Sequence, residues 1–329
     1  MTTIMNKSVG QIGFGLMGLS WRPDPPPLEQ AIETLKAAYN KGSYLWNGAE
    51  FYGTPEYNSM TIIRHYFEKY PEDAEKVVII IKGGAGLTSR DLDGSPEGIR
   101  RSIDNILAQL GGKKKLDLFS IARRDHKNPW DVTLNTIKKE YIDTGKIGGF
   151  SLSECSADTV EQAAKILPVH GAEVELSMFT PDILNNGIAA ACAKYNIPIV
   201  AYSPLGRGIL TGRFKGIADV VPGSVGSRMP RLQAETIEHN LKLTQQLETL
   251  AEKKGCSTGQ LAIAWAVAVG KQPGQPPVIP IPGASSVKHA EENLTAVELT
   301  EEEYKTIADM VNNFKPAGGR YPQGAHVNT

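Results

Sequence analysis

Leu45-Trp46-Asn47-Gly48-Ala49-Glu50-Phe51-Tyr52-Gly53 reads as the end of a strand, entered through Ser43 and Tyr44, that runs out into a loop carrying Tyr52. The next strand reads Val77-Val78-Ile79-Ile80-Ile81 and ends at Lys82, with Gly83 and Gly84 behind it. Between the two, Ile62, Ile63, Tyr66 and Phe67 mark a helix stopped before Pro71, because the residue preceding a proline is pushed out of the helical region. A buried lysine at a strand end is costly unless it has a partner or a task. A tyrosine beside it gives up its phenolic proton more easily, since the ammonium favours the phenolate. Such a tyrosine can act as a general acid near neutral pH.

Working outward, the same unit recurs. Leu28, Ala31, Ile32, Leu35 and Ala38 share a helical face closed by Gly42. After Lys82 come a helix through Ile99, Ile103, Ile106, Leu107 and Leu110, a strand over Leu116–Ile121, and a helix through Trp130, Leu134, Ile137 and Tyr141. A strand over Ile147–Leu152, a helix through Val160, Ala163, Ala164 and Leu167, and a strand over Ala172–Leu176 follow. Ile183–Tyr195 reads as helical, Ile197–Tyr202 as a strand, and Leu243–Ala251 and Leu261–Val269 as two helices. Val278–Ile281 is the last strand, before helices beginning at Val287 and Glu301. Strict strand–helix alternation implies parallel strands with helices outside. About eight such units favour a closed (β/α)8 TIM barrel over an open sheet. With no linker, repeat or low-complexity tract, residues 1–329 read as one domain. The long stretch Thr211–Glu235, after the seventh strand, lacks periodicity; loops of that length are usually functional, and it reads as a lid or as a passive insertion.

Gly13-Phe14-Gly15-Leu16-Met17-Gly18 matches the G-x-G-x-x-G dinucleotide fingerprint. That fingerprint needs a helix to open directly after it, so that the helix N-terminus meets the pyrophosphate. Trp21-Arg22-Pro23-Asp24-Pro25-Pro26-Pro27 follows instead, so the glycines read as a strand and turn pressed against other backbone. A formal charge of −1 offers no electrostatic case for nucleic acid or an acidic membrane. Cys155, Cys192 and Cys256 form no disulfide framework and no metal-ligand spacing with the histidines. The N-terminus lacks a continuous apolar core, and Leu261–Val269 is too short to span a bilayer. A cytoplasmic protein is the expectation; oligomeric state is not readable.

Chemistry in such a barrel belongs at the C-terminal strand ends. Those positions hold Asn47 with Tyr52, Lys82, Ala122–Asp125, Ser151 with Leu152, Glu173 with Glu175, Tyr202–Arg207, and Pro282–Ser286. The last group precedes a helix, where free N–H groups with Ser285 and Ser286 can receive a phosphate, or where Ser286 is an ordinary N-cap.

These motifs in this order carry a resemblance. Gly13–Met17, Ala49–Gly53, Lys82 with its strand, Leu116-Asp117-Leu118-Phe119, Gly149-Phe150-Ser151, Glu173–Phe179, Ala201–Gly208, Ile279–Gly283 and Glu291-Glu292-Asn293 resemble the aldo-keto reductase superfamily over nearly the whole chain. Trp46–Gly53 and the run from Leu116 into Ala122–Lys127 are most similar to the fungal pyridoxal reductases. The resemblance implies a barrel that binds NADPH across its strand ends and reduces an aldehyde, with pyridoxal to pyridoxine as the leading reaction. It also admits a broader aldehyde or ketone reductase, or a regulatory subunit that holds the cofactor with little turnover. It implies Tyr52 as general acid, with Lys82 and Asn47 as its catalytic partners, and no metal. It places Ser151 and Glu173 by the nicotinamide carboxamide and Tyr202 against the ring. Gly15, Leu16, Met17, Ser203, Pro204, Leu205, Gly206, Gly208 and Leu210 would follow the cofactor towards its pyrophosphate. Pro282, Gly283, Ser285, Ser286, His289, Glu292 and Asn293 would surround the adenosine end, where no arginine stands. The Thr211–Glu235 loop would cover the cofactor.

The chain departs from the family pattern at four positions. Asn47 stands at the usual aspartate, Ala122 at the usual histidine, Glu173 where glutamine is common and Leu152 where asparagine is common. Without the aspartate, more of the Lys82 field should fall on Tyr52 and depress its pKa further. Arg123, adjacent to Ala122, or polar groups of the substrate itself would take over the orienting work of the histidine.

Overall fold

The computed structural model describes residues 2–329 apart from 88, 90, 326 and 328. Eight parallel strands pair in chain order: β1 Phe14–Gly15, β2 Leu45–Ala49, β3 Val78–Gly83, β4 Leu118–Ile121, β5 Gly149–Ser153, β6 Val169–Glu175, β7 Ile199–Tyr202 and β8 Val278–Pro280. The first and last strands close the ring. Gly13 N donates to Pro280 O at 2.9 Å, Gly15 N to Pro282 O at 3.2 Å, and Gly15 bridges Gly283. This seam needs bare backbone: a Cβ on Gly15 would lie 2.9 Å from Ile281 O. The glycine run is therefore the barrel seam, and only one helical turn, Met17–Ser20, opens after it.

Helices α1 Leu28–Asn40, α2 Ser59–Lys69, α3 Pro96–Leu110, α4 Trp130–Ile137, α5 Ala157–Ile166 and α6 Ile188–Lys194 connect the first seven strands. Helices α7 Ile237–Lys254 and α8 Thr258–Val269 precede β8, and α9 Val287–Leu294 and α10 Glu301–Asn313 follow it. An N-terminal hairpin, Thr3–Ile4 with Lys7–Ser8, plugs the barrel floor. Its Ile4 packs with Leu45, Val78, Ile80, Leu118, Val200 and Ile279 inside the ring. Trp46, Ile79, Ile81, Phe119 and Phe150 point the other way, into the layer beneath the helices. Each such fully buried isoleucine contributes about 2 kcal/mol.

The alternation that sorts these residues also aims the polar ones. Asn47 lies two residues beyond Leu45, and Lys82 two beyond Ile80, so both face inward. Glu173 pairs with inward Val200, and Glu175 with Tyr202. The expected helix Ile183–Tyr195 is broken in two: a short 3-10 turn, Asp182–Leu184, is separated from α6 by Gly187, whose φ of 91° ends helical geometry. The Thr211–Glu235 stretch holds three short turns, Ile217–Asp219, Gly226–Arg228 and Pro230–Leu232. No helix of the described residues is long and apolar enough to cross a membrane.

Candidate active site

Tyr52 is held by the loop that leaves β2. Its N–H donates to Ala49 O at 3.2 Å, and its carbonyl accepts from Ser20 Oγ at 2.8 Å. Gly53 turns the chain at φ 117°, where an added Cβ would meet Tyr57 O at 2.2 Å. Asn58 then caps α2 in a reciprocal box with Thr61. The Tyr52 ring stacks on Trp21, with centroids 5.0 Å apart, and meets Phe51 edge-on. Glu50 turns away, onto Ser102 Oγ at 2.6 Å and Asn105 Nδ2 at 3.1 Å.

Lys82 Nζ lies 5.0 Å from the centre of the Tyr52 ring. It donates to Asn47 Oδ1 at 2.6 Å and to both carboxylate oxygens of Glu173 at 2.9 Å. Asn47 Nδ2 donates to Glu173 Oε2 at 2.7 Å. The three are 3%, 3% and 4% exposed, and they are one another's partners, with Tyr52 also interacting with Lys82. Burial pulls the Lys82 pKa down, but Glu173 and then Tyr52 outweigh it and hold it above the usual lysine value. Burial raises the Tyr52 pKa, Lys82 lowers it, Glu173 raises it and Arg123 lowers it; the sum is above the ordinary tyrosine value. This overturns the expectation that Asn47 leaves Tyr52 unusually acidic. The carboxylate missing from β2 is replaced by one from β6, and Glu173 sits in this cluster.

The other expected positions, Ser151 and Tyr202 apart, divide into three groups. Leu16 N donates to Asn47 O at 2.8 Å, and Gly15 meets Gly283, so Gly15, Leu16, Met17, Pro282 and Gly283 come together beside the cluster. Ser203–Leu210 forms a winding turn in which Ser203, Gly206, Arg207 and Gly208 all have positive φ. At the far end, Ser286 caps α9 by accepting from His289 N at 3.4 Å, Asn293 Nδ2 donates to Gly283 O at 3.2 Å, and Gln30 Nε2 donates to Ser285 O at 2.7 Å. Ser151 is fully buried and gives its hydroxyl to Gly171 O at 2.8 Å.

Two arginines that local sequence context could not place join the far end. Arg22 Nη1 donates to Ser285 Oγ at 2.9 Å, and Arg213 Nη2 pairs with Glu292 Oε2 at 2.9 Å. Arg213 belongs to the long loop after β7. On the same loop, a Cβ built on Gly223 would touch Pro23 at 3.4 Å. The loop therefore spans from α9 to the segment after β1.

The segment after α10 crosses the barrel mouth. Arg320 Nη2 donates to Glu154 Oε1 at 2.9 Å, and its Nε to Glu175 Oε2 at 3.1 Å. The Tyr202 hydroxyl donates to Glu154 Oε1 at 2.7 Å and shares a 2.7 Å bond with Tyr321. The Arg207 guanidinium lies over the Tyr321 ring, 4.9 Å from its centre. Burial, then Glu175 and Glu154, push the Tyr202 pKa up, which keeps its proton in place as a donor. Arg320 and Tyr321 carry no sequence signal, because they follow the last helix without periodicity.

A buried lysine and carboxylate beside a tyrosine, at the C-terminal strand ends of a parallel barrel, form an acid–base site at the place where this architecture keeps its chemistry. A sequence model of the Aldo/keto reductase family matches residues 11–312. The chain belongs to the aldo/keto reductase family. A Schizosaccharomyces pombe protein named probable pyridoxal reductase 2 is 39% identical over 328 residues, spanning 98% of this chain and 97% of its own. A Saccharomyces cerevisiae protein named putative pyridoxal reductase is 34% identical over 332 residues, spanning 94% and 95%. The S. pombe aldo-keto reductase yakc [NADP(+)] is 34% identical over 330 residues, spanning 98% and 94%. The glycerol dehydrogenase of Gluconobacter oxydans superposes with a TM-score of 0.82 at 23% identity, over 99% of this chain and 96% of its own, a likeness of fold. This aldo/keto reductase is thus an oxidoreductase of a family that uses nicotinamide cofactors on small carbonyl substrates.

Proposed function

We propose that the chain reduces an aldehyde to an alcohol with NADPH, and that pyridoxal, converted to pyridoxine, is its substrate. The buried contact of Lys82 with Asn47 and Glu173 beneath Tyr52 carries the acid–base part of this reading. The near full-length similarity to two proteins named pyridoxal reductases carries the substrate. The arginine beside Ser285 supports NADPH: Arg22 adds the charge that Ser285, Ser286 and His289 lack for a phosphate. Gly15–Met17, Pro282–Gly283 and Ser203–Leu210 offer backbone along the path between the two ends, and the loop that joins Arg213 to Glu292 fits a cover over it. When bound, the cofactor supplies the hydride. Tyr52 delivers its proton to the carbonyl oxygen, and Lys82 stabilises the phenolate left behind. Arg123, whose charge lowers the Tyr52 pKa, would take over the orienting of the carbonyl oxygen that Ala122 cannot provide.

The test is NADPH oxidation by the purified protein with pyridoxal, beside Tyr52→Phe. A pyridoxal-dependent rate that falls by roughly a hundredfold or more in the variant is expected. A rate that survives Tyr52→Phe removes Tyr52 as the donor, and NADPH binding without any pyridoxal rate removes pyridoxal as the substrate.

A further inference from the structure

Lys82 and Tyr52 share one electrostatic problem. A buried ammonium needs an anion to stay charged, yet an anion next to a phenol opposes its ionisation. Asn47, on the strand next to Lys82, supplies a carbonyl oxygen at 2.6 Å but no charge. Glu173 reaches Nζ from across the ring with both oxygens at 2.9 Å and takes the Asn47 amide at 2.7 Å. The triangle is closed: Lys82 donates to both neighbours, and Asn47 donates to Glu173. We propose that Glu173 is the counter-ion of the acid–base pair, a positioning residue that keeps the proton on Lys82 and through it sets when Tyr52 can ionise, with Asn47 as the bridge that locks the two.

Charge counting supports the assignment. With Glu173 ionised, Lys82 protonated and Tyr52 neutral, the cluster is uncharged. Loss of either proton leaves a net negative charge in a buried site, so Glu173 defends both protons at once. The other groups facing the pair do not substitute for it. Arg123, beyond β4, acts in the opposite sense on Tyr52, and Tyr321 brings a second phenol from the C-terminal segment. Glu50 is turned onto Ser102 and Asn105, and Glu154 and Glu175 are engaged by Arg320. An ionised carboxylate only accepts hydrogen bonds. Glu173 can therefore take the N–H of a carboxamide but cannot donate to its carbonyl, and its oxygens already accept three bonds here.

This inference deepens the reductase reading, and its test works without turnover. A tyrosine-ring NMR resonance absent from Tyr52→Phe is titrated with neither cofactor nor substrate, in the native protein, in Glu173→Gln and in the double variant Asn47→Asp/Glu173→Gln. The first proton of the Tyr52–Lys82 pair is expected to leave Glu173→Gln at a pH lower by roughly one unit or more, a tenfold loss of proton affinity. The double variant returns a carboxylate oxygen to the position 2.6 Å from Nζ and is expected to restore the native titration. In the aldehyde assay, the alkaline limb of kcat should move with the NMR midpoint. A native titration in Glu173→Gln overturns the proposal. If Glu173→Gln weakens only cofactor binding and leaves the titration unmoved, the residue is a carboxamide ligand instead. If Glu173→Gln does not fold, the double variant decides alone: a native midpoint supports the proposal and one lower by a unit overturns it. Absence of aldehyde turnover with the NMR shift intact would count against the reductase reading and leave the counter-ion in place.

Discussion

Replacing Lys82 by Met should cost more stability than losing a packed side chain, and the cost should depend on pH. Met fills most of the lysine's volume, so the cavity contribution is small. The main loss is at Glu173, 4% exposed, which forfeits both 2.9 Å bonds from Nζ and keeps only the Asn47 amide. Removing one partner of a buried pair typically costs about 3–5 kcal/mol, because the other charge is left uncompensated. The carboxylate can avoid that cost by taking up a proton. In the variant the folded state then binds a proton that the unfolded chain releases at about pH 4.3. A group that titrates higher folded than unfolded stabilises below its unfolded pKa and loses that contribution as pH rises. The penalty in Lys82→Met should therefore be small near pH 4 and grow by about 1.4 kcal/mol per pH unit until it levels off at the folded-state titration. Urea unfolding at a series of pH values measures this, with Lys82→Met/Glu173→Gln as the control in which the slope disappears. A pH-independent loss, or none, would refute the claim that Glu173 is charged and neutralised by Lys82.

Arg22→Ala should weaken NADPH binding by roughly tenfold, the value of one charge-assisted contact at an exposed site, and leave NADH binding unchanged; parallel fluorescence titrations compare the two. Arg320→Ala strands Glu154 and Glu175, which are 1% and 3% exposed, and should cost about 3–5 kcal/mol in urea unfolding while exposing the segment after α10 to protease. An unchanged midpoint would mean that Tyr202 and Arg207 suffice for those two carboxylates.

Much of this fold is legible in alternation. Leu45, Val78, Ile80 and Leu118 face inward because every second residue must, and the same parity puts Asn47 and Lys82 on the inner face. Local backbone chemistry is less legible. Gly187 breaks what looks like one apolar helix, because Asn185-Asn186-Gly187 can reverse the chain and the flanking periodicity hides it. The tyrosine and lysine of the site are visible as a loop and a strand end. Glu173 is visible too, but which partner it takes depends on side chains meeting across the ring from strands that are not neighbours. Arg22, Arg213 and Arg320 are not legible for a similar reason. Each is an ordinary surface-type residue in its own segment and gains its meaning only where a distant segment packs against it.

The seam between β1 and β8 joins the two ends of the chain. Each strand–helix–strand unit forms from neighbours, whereas Gly13 and Gly15 must find Pro280 and Pro282 from near the other end of the chain. Closing so long a loop is entropically late, and such non-local contacts slow folding. Leu16, one residue past the seam, is the donor that ties down the Asn47 carbonyl. The contact that closes the ring and the contact that fixes Asn47 thus sit on adjacent peptides, so whatever loosens the seam also loosens the acid–base cluster.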